Sequence, residues 1–246
     1  MKIVSPYRPF PPESSAHRKL GPFDWIGALQ MLATSARASS QCDTYALTDV
    51  DTTLPVPAYQ YRTTHRRLML WILEVCLRYL ESDDFDEDTV MVCPDILVLG
   101  DLRPFFQADL GVIVRLDAKY VEAERPLLNS VQWWRVEAKD RLVAFYQRAL
   151  AIAEGLVPAL IEWGADTVPL VELLSPLEHG VSQRAGLSVF AVDQREAMAA
   201  FSSSLLRRLG GPRSVVVPMP LLDFKYGRKL YMRAYFEAAF RQGVAS

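Results

Sequence analysis

Asp95 stands between two short apolar runs, Val90-Met91-Val92 and Ile96-Leu97-Val98-Leu99. Short apolar runs bounded by turn signals read as buried strands. A carboxylate just past such a strand sits where open α/β sheets bind ligands, although Pro94-Asp95 also suits a plain turn. Thr48-Asp49 closes the run over 44–47 in the same manner. Asn129 and Ser130 open a run over 129–134. Their amide and hydroxyl donate and accept hydrogen bonds, as ligand contacts or as a strand-entry turn. Asp166, in Trp163-Gly164-Ala165-Asp166, can accept a proton or bind a hydroxyl, or else cap the helix that follows. Late in the chain, Phe224-Lys225-Tyr226-Gly227-Arg228-Lys229 sets three cations around a glycine. Glycine lets backbone approach an anion closely, and Lys225, Arg228 and Lys229 would offset its charge. A turn with a solvated basic face has the same composition. His17, His65 and His179 match no zinc spacing. No P-loop, Gly-x-Gly-x-x-Gly or Gly-x-Ser-x-Gly pattern is present.

The elements that hold these residues follow from apolar spacing. Ile3-Val4-Ser5 predicts a first strand, and Ser5, Pro6 and Tyr7 end it. Trp25, Ile26, Leu29, Leu32 and Ala33 recur at helical spacing, so a helix is expected over 24–38 with Asp24 as N-cap. Residues 52–64 are polar and proline-bearing, hence a loop. Leu68, Trp71, Ile72, Val75, Cys76, Tyr79 and Leu80 form one stripe of a helix over 66–81. The order strand, helix, strand, helix, strand implies parallel pairing with right-handed crossovers. Further strands are expected over 110–115, 129–134, 187–192 and 215–217. A short helix is expected over 102–106, and longer helices over 139–154, 167–174, 195–209 and 230–241. The reading is a single α/β domain over 1–246.

Of 246 residues half are hydrophobic, enough for a sizeable core, and the net charge is −2. No global basic field marks a general nucleic-acid binder. Local basic groups remain at Arg62, His65, Arg66 and Arg67, at Arg207, Arg208 and Arg213, and over 225–233. They read as a phosphate-tracking groove or as ordinary helix-end charges. The three cysteines, Cys42, Cys76 and Cys93, are scattered, so a reducing cytoplasm is expected. Neither a signal peptide nor a membrane span is expected.

Four stretches, in this order, resemble glycosyltransferases of the GT-A fold, most of all the glycogenin and bacterial galactosyltransferase group. They are Thr48-Asp49; Cys93-Pro94-Asp95-Ile96-Leu97-Val98-Leu99-Gly100-Asp101-Leu102; Leu128-Asn129-Ser130-Val131; and Phe224-Lys225-Tyr226-Gly227-Arg228-Lys229. The second is similar to the family's Asp-x-Asp-hydrophobic-hydrophobic-Val-x-Gly-Asp-Leu run, with Cys93 in place of the first aspartate. The fourth resembles a His-x-x-Gly-x-x-Lys segment, with Phe224 in place of the histidine and a lysine one residue early.

The resemblance implies a mixed, mostly parallel central sheet flanked by helices. It implies a nucleotide-sugar-binding half over 1–115 and an acceptor and closing half over 116–246. It implies transfer of a hexosyl group from a nucleotide sugar, a uridine diphosphate sugar among the candidates, to an acceptor hydroxyl. The acceptor would be a glycan or a hydroxymethylated base in viral DNA, the compartment then being the host-cell cytoplasm. Donor contacts would come from Ser5, Tyr7, Asp49, Asp95, Asn129, Ser130, Lys225, Gly227, Arg228 and Lys229, and the catalytic pair would be Asp166 and Asn129. A Mn²⁺ or Mg²⁺ ion would be held by Asp95 alone, or replaced by the late cations. The alternative is a non-catalytic nucleotide- or glycan-binding protein derived from the same fold.

Overall fold

Lys2–Pro6 forms β1 at the centre of a computed structural model that describes residues 1–9, 23–115, 126–158, 161, 164–200, 219–224, 230–237 and 240. Helix α1 (Trp25–Ser40) follows, capped as expected: Asp24 Oδ1 accepts from Gly27 N at 2.8 Å. A side chain at Gly27 would collide with that carboxylate, so the cap requires the glycine. Then come β2 (Thr44–Asp49), β3 (Ala58–Tyr61), α2 (Leu68–Glu81), β4 (Thr89–Val92) and β5 (Ile96–Val98). After a 3-10 turn at Arg103–Phe105 come β6 (Leu110–Val114), β7 (Leu127–Trp134), α3 (Lys139–Glu154) and α4 (Val168–Leu174). The rest is β8 (Gly180–Arg184), β9 (Leu187–Asp193), α5 (Gln194–Ala197), β10 (Met198–Ala200), β11 (Leu221–Asp223) and α6 (Leu230–Phe236).

The main sheet has the order β3-β2-β1-β4-β7-β6-β9-β8, and a smaller one has the order β10-β11-β5. In the main sheet all strands but β7 and β8 run one way. The expected parallel unit of β1, β2 and β4 is present. One core lies under α2, α3 and α4, built on Trp71, Tyr79, Trp134, Phe145 and Tyr146. On the opposite face α1 covers Ile3, Ala46, Val90, Val92 and Trp133. A third cluster joins β5 and β11 to α1 and α6.

Two expectations are corrected, and two strands appear where none was expected. Residues 52–64 are not all loop, because β3 pairs in parallel with β2 and Tyr59 stacks on Tyr45 at 4.6 Å. As an edge strand it is only half buried, so it lacks the apolar run of its neighbours. The helix over 195–209 stops at Ala197, where Met198 is drawn into a parallel ladder with Leu221 and buried; 201–209 lie outside the described residues. Between 174 and 187, β8 makes a hairpin with β9 through Ala185 and Gly186, both at positive φ. Leu221–Asp223 is strand, its edges satisfied by β5 and β10. The strand expected at 215–217 falls outside the described residues.

Asp109 fastens the starts of β6 and β9 to α3. It accepts from Arg141 at 2.8 and 3.2 Å and from Ser188 N at 3.0 Å. Burial alone would raise its pKa, but the hydrogen bonds from Arg141 and Ser188 prevail and hold it below the usual carboxylate range. A depressed pKa stabilises the fold above the unfolded value of about 3.9, and the contribution is lost as pH falls through the lower folded value. Asp109→Asn is therefore expected to cost roughly 1 kcal/mol near neutral pH, chiefly from the bond to Ser188 because Arg141 is exposed. Urea unfolding should show that gap closing below pH 4.

Candidate active site

The strands β1, β2 and β4 end at one edge of the main sheet, and β7, which runs against them, begins there. That geometry collects Ser5, Asp49, Asp95, Asn129 and Ser130 from distant parts of the chain. Ser5 alternates with Ile3 and Tyr7, and Thr48 with Ala46, so both hydroxyls face the α1 side. Both are fully buried, and neither has a hydrogen-bond partner among the described residues. Ser130 Oγ is in the same condition. Buried hydroxyls without partners are uncommon and costly in a closed structure, and a bound polar ligand or water relieves them. Tyr7 is 7% exposed and packs in the α1-side core, so little of its ring is open to stacking. Burial, then the charge of Asp24, pushes its phenol pKa up.

On the opposite face Asp49 builds a corner. It accepts from Trp71 Nε1 at 2.9 Å and from Thr63 Oγ1, and Arg8 lies 3.8 Å away. The Arg8 guanidinium sits 4.9 Å over the Trp71 ring and donates to the carbonyls of His65 and Arg66. Burial lowers the Arg8 pKa, opposed by Asp49 and Glu74. Glu74, 1% exposed, accepts from Thr64 N, Thr64 Oγ1 and His65 N, each at 2.9 Å. The segment between β3 and α2 is thus held from beneath by buried Glu74 and partly buried Arg8.

At the β4 end, Cys93 N donates to Ser130 O at 2.8 Å and Ile96 N closes the turn onto Cys93 O at 3.2 Å. Asp95 is 4% exposed, and its carbonyl accepts from Phe224 N at 3.1 Å. Asp223, 6% exposed, pairs with Ile96 in the β5–β11 ladder and so neighbours Asp95. Asp95 is thus more than a turn residue: its backbone carbonyl ties the end of β4 to the segment of β11, where Asp223 is also buried. Cys93 is a soft donor ill suited to a hard cation, whereas two aspartates offer the oxygens such an ion takes. Among the described residues no group of three or more His, Cys, Asp or Glu could hold a metal ion.

Asn129 and Asp166 meet. Asn129 Nδ2 donates to Asp166 O at 2.7 Å and to Asp166 Oδ2 at 3.2 Å. Asp166 does not cap α4: the N-cap is Thr167, and it makes no side-chain capping bond. Behind the pair lies a polar chain. Tyr146 OH and Trp134 Nε1 donate to Gln132 Oε1 at 2.7 and 3.0 Å, and Gln132 Nε2 donates to Asn129 Oδ1. Two donors on Oε1 fix the Gln132 amide, which fixes Asn129 with its NH₂ toward Asp166. An irregularity in β7 sets the pair out: Val112 pairs Gln132 but Ile113 pairs Leu128, leaving 129–131 unmatched on β6.

Lys225, Gly227, Arg228 and Lys229 lie outside the described residues, as do Trp163, His17, Arg207, Arg208 and Arg213. His65 and His179 pair with Glu154 and Glu196, each at 3.1 Å. Arg8, Glu74, Gln132, Tyr146 and Asp223 were not candidates from sequence. Asp223 stands beside the noted Phe224–Lys229 stretch and was the one within reach of that reading.

A mixed sheet with its polar groups at one edge, and a small second sheet closing over that edge, defines the GT-A-like glycosyltransferase fold. Solved structures of that kind share it. The galactosyltransferase LgtC in complex with donor and acceptor sugar analogs superposes with a TM-score of 0.56 at 10% identity, over 97% of this chain and 95% of that one. A glycosyltransferase involved in the glycosylation of the major capsid of PBCV-1 gives 0.50 at 10% identity, over 95% and 98%. The apo-form glycosyltransferase GlyE of Streptococcus pneumoniae TIGR4 gives 0.54 at 11% identity, over 99% of this chain and 64% of that one. No protein-family model matches the sequence, and no curated protein matches it.

Proposed function

We propose that this chain is a glycosyltransferase that moves a hexosyl group from a nucleotide-sugar donor, a uridine diphosphate sugar first, to an acceptor hydroxyl. The observation that carries the proposal is the set of partnerless buried hydroxyls, Ser5, Thr48 and Ser130, at the strand edge beside Asp95. The half over 1–115 would hold the nucleotide, with Ser5, Tyr7 and Asp49 on the nucleoside side. The half over 116–246 would bring the acceptor and close the site. When the sugar leaves, negative charge grows on the diphosphate, and positive charge aimed there speeds departure. Asp95, with Asp223 as its neighbour, would hold a Mn²⁺ or Mg²⁺ ion, which when bound supplies that charge as a Lewis acid. Lys225, Arg228 and Lys229 would add to it or take its place. Asn129 and Ser130 would orient the sugar by its hydroxyls, and Asp166, held by Asn129, would bind the acceptor hydroxyl or take its proton.

The acceptor is a glycan or a hydroxymethylated base in DNA, and the setting is the cytoplasm, a host cell's if the chain is viral. No helix among the described residues is long and apolar enough to cross a membrane. One observation favours a second reading, a non-catalytic nucleotide- or glycan-binding protein: Cys93 is a soft sulfur where the resemblance expects a carboxylate ligand.

Thermal unfolding against a panel of nucleoside diphosphates and nucleotide sugars, with and without Mn²⁺, tests the proposal. A ligand at about a hundred times its Kd adds roughly 2.7 kcal/mol. A selective shift with donor turnover is expected. A shift without turnover favours the second reading, and no shift with any member removes both.

A further inference from the structure

Most arginines among the described residues have partners: Arg8, Arg115, Arg148 and Arg184 donate to backbone or side-chain oxygens. Arg37, Arg78, Arg103, Arg135, Arg141, Arg195 and Arg233 each face a carboxylate within 3.1 Å. Arg62, Arg66 and Arg67 are exposed, and none makes an ion pair or side-chain hydrogen bond among the described residues. They fall within one loop, 62–67, on the strand edge that carries the candidate site.

That loop is a rigid platform. Glu74 holds Thr64 and His65 from below, Arg8 holds the carbonyls of His65 and Arg66, and His65 Nε2 reaches Glu154 at 3.1 Å. Its charges are also placed against the dipole of α2, whose first turn has no acidic residue and whose N-cap, Arg67, makes no side-chain capping bond. The carboxylates of Glu74 and Asp49 beneath the loop are already engaged by Thr64, His65, Thr63, Trp71 and Arg8, so the three exposed guanidiniums are left to face an external anion.

The loop leaves β3, the edge strand of the main sheet, and folds back over Arg8 at the end of β1. Guanidinium forks match phosphate geometry, and three on one loop suit successive phosphates along a chain.

We propose that loop 62–67 is a docking surface for the phosphate backbone of a nucleic acid, which is the acceptor. Only the acceptor role rests on the transferase reading; the binding surface stands apart from it. The test is fluorescence anisotropy of the full chain with a labelled single-stranded DNA, titrated from low to physiological salt. It compares wild type with Arg62→Ser/Arg66→Ser/Arg67→Ser and uses heparin as competitor. The wild type is expected to bind, and the salt slope of log K is expected to fall by about 2 to 3 in the variant. The nucleoside diphosphate thermal shift and the melting temperature are expected to be unchanged. No DNA binding at low salt, or an unaltered slope in the variant, overturns the proposal. So does a variant that loses the diphosphate shift, or displacement by heparin as readily as by unlabelled DNA. DNA binding retained with no donor shift in either protein leaves the surface standing and sinks the transferase reading alone.

Discussion

Asp95→Asn is expected to lower sugar transfer at least about a hundredfold without unfolding the protein. The substitution keeps side-chain shape, and the backbone bond from Phe224 N to Asp95 O does not depend on the carboxylate. What is lost is a negative oxygen set in a nearly water-free position. A cation held by Asp95 as proposed would supply positive charge where the leaving diphosphate becomes negative, a contribution of several kcal/mol. Losing one of two carboxylate ligands need remove only about 2.7 kcal/mol of it to give a hundredfold. Steady-state kinetics at saturating donor should show a lower kcat with a raised Mn²⁺ requirement, and melting should stay near wild type. Asp223→Asn is expected to act through the same ion, so the double variant should fall short of the sum of the single effects. Full activity of Asp95→Asn in the presence of a chelator would assign the leaving-group charge to Lys225, Arg228 and Lys229 instead.

Much of the frame behind Asp95 is legible in the sequence, for a physical reason. Central parallel strands are buried on both faces, so β1, β2, β4 and β6 appear as unbroken apolar runs, and their ends point to Asp49 and Asp95. The helices Leu68–Glu81 and Lys139–Glu154 follow from spacing because each buries one broad face against the other. Edge strands carry no such mark. β3 reads Ala-Tyr-Gln-Tyr after Pro55 and Pro57 and is held by ring stacking and its ladder, neither of which has a periodic signature. Met198–Ala200 is apolar enough for helix or strand, and only the distant Leu221–Asp223 decides it. The site divides likewise. Asn129 shows itself as a polar residue before an apolar run, although β7 opens two residues earlier, at Leu127. Gln132 reads as one polar residue in an apolar strand, and its purpose appears only when the irregularity in β7 and the position of Tyr146 are known.

Gln132→Leu is expected to destabilise the protein by roughly 3–6 kcal/mol, a large part of a typical total of about 5–15. The leucine fills similar space but leaves Tyr146 OH, Trp134 Nε1 and Asn129 Oδ1 without their partner, and each such group costs about 1–3 kcal/mol. Urea unfolding measures this directly. Gln132→Glu separates stability from positioning. Its carboxyl still accepts from Tyr146 and Trp134, so the fold loses less. When ionised it has no proton for Asn129, whose amide must turn and set an oxygen against the Asp166 carbonyl. When protonated it donates as the glutamine does. Burial raises the pKa of a carboxyl group, so the exchange falls in an accessible range. Relative to wild type at each pH, the Gln132→Glu variant should regain kcat as pH falls, with the KM for donor little changed. A ratio independent of pH would show that Gln132 only fills the core and that the Asn129–Asp166 pair is held by other means.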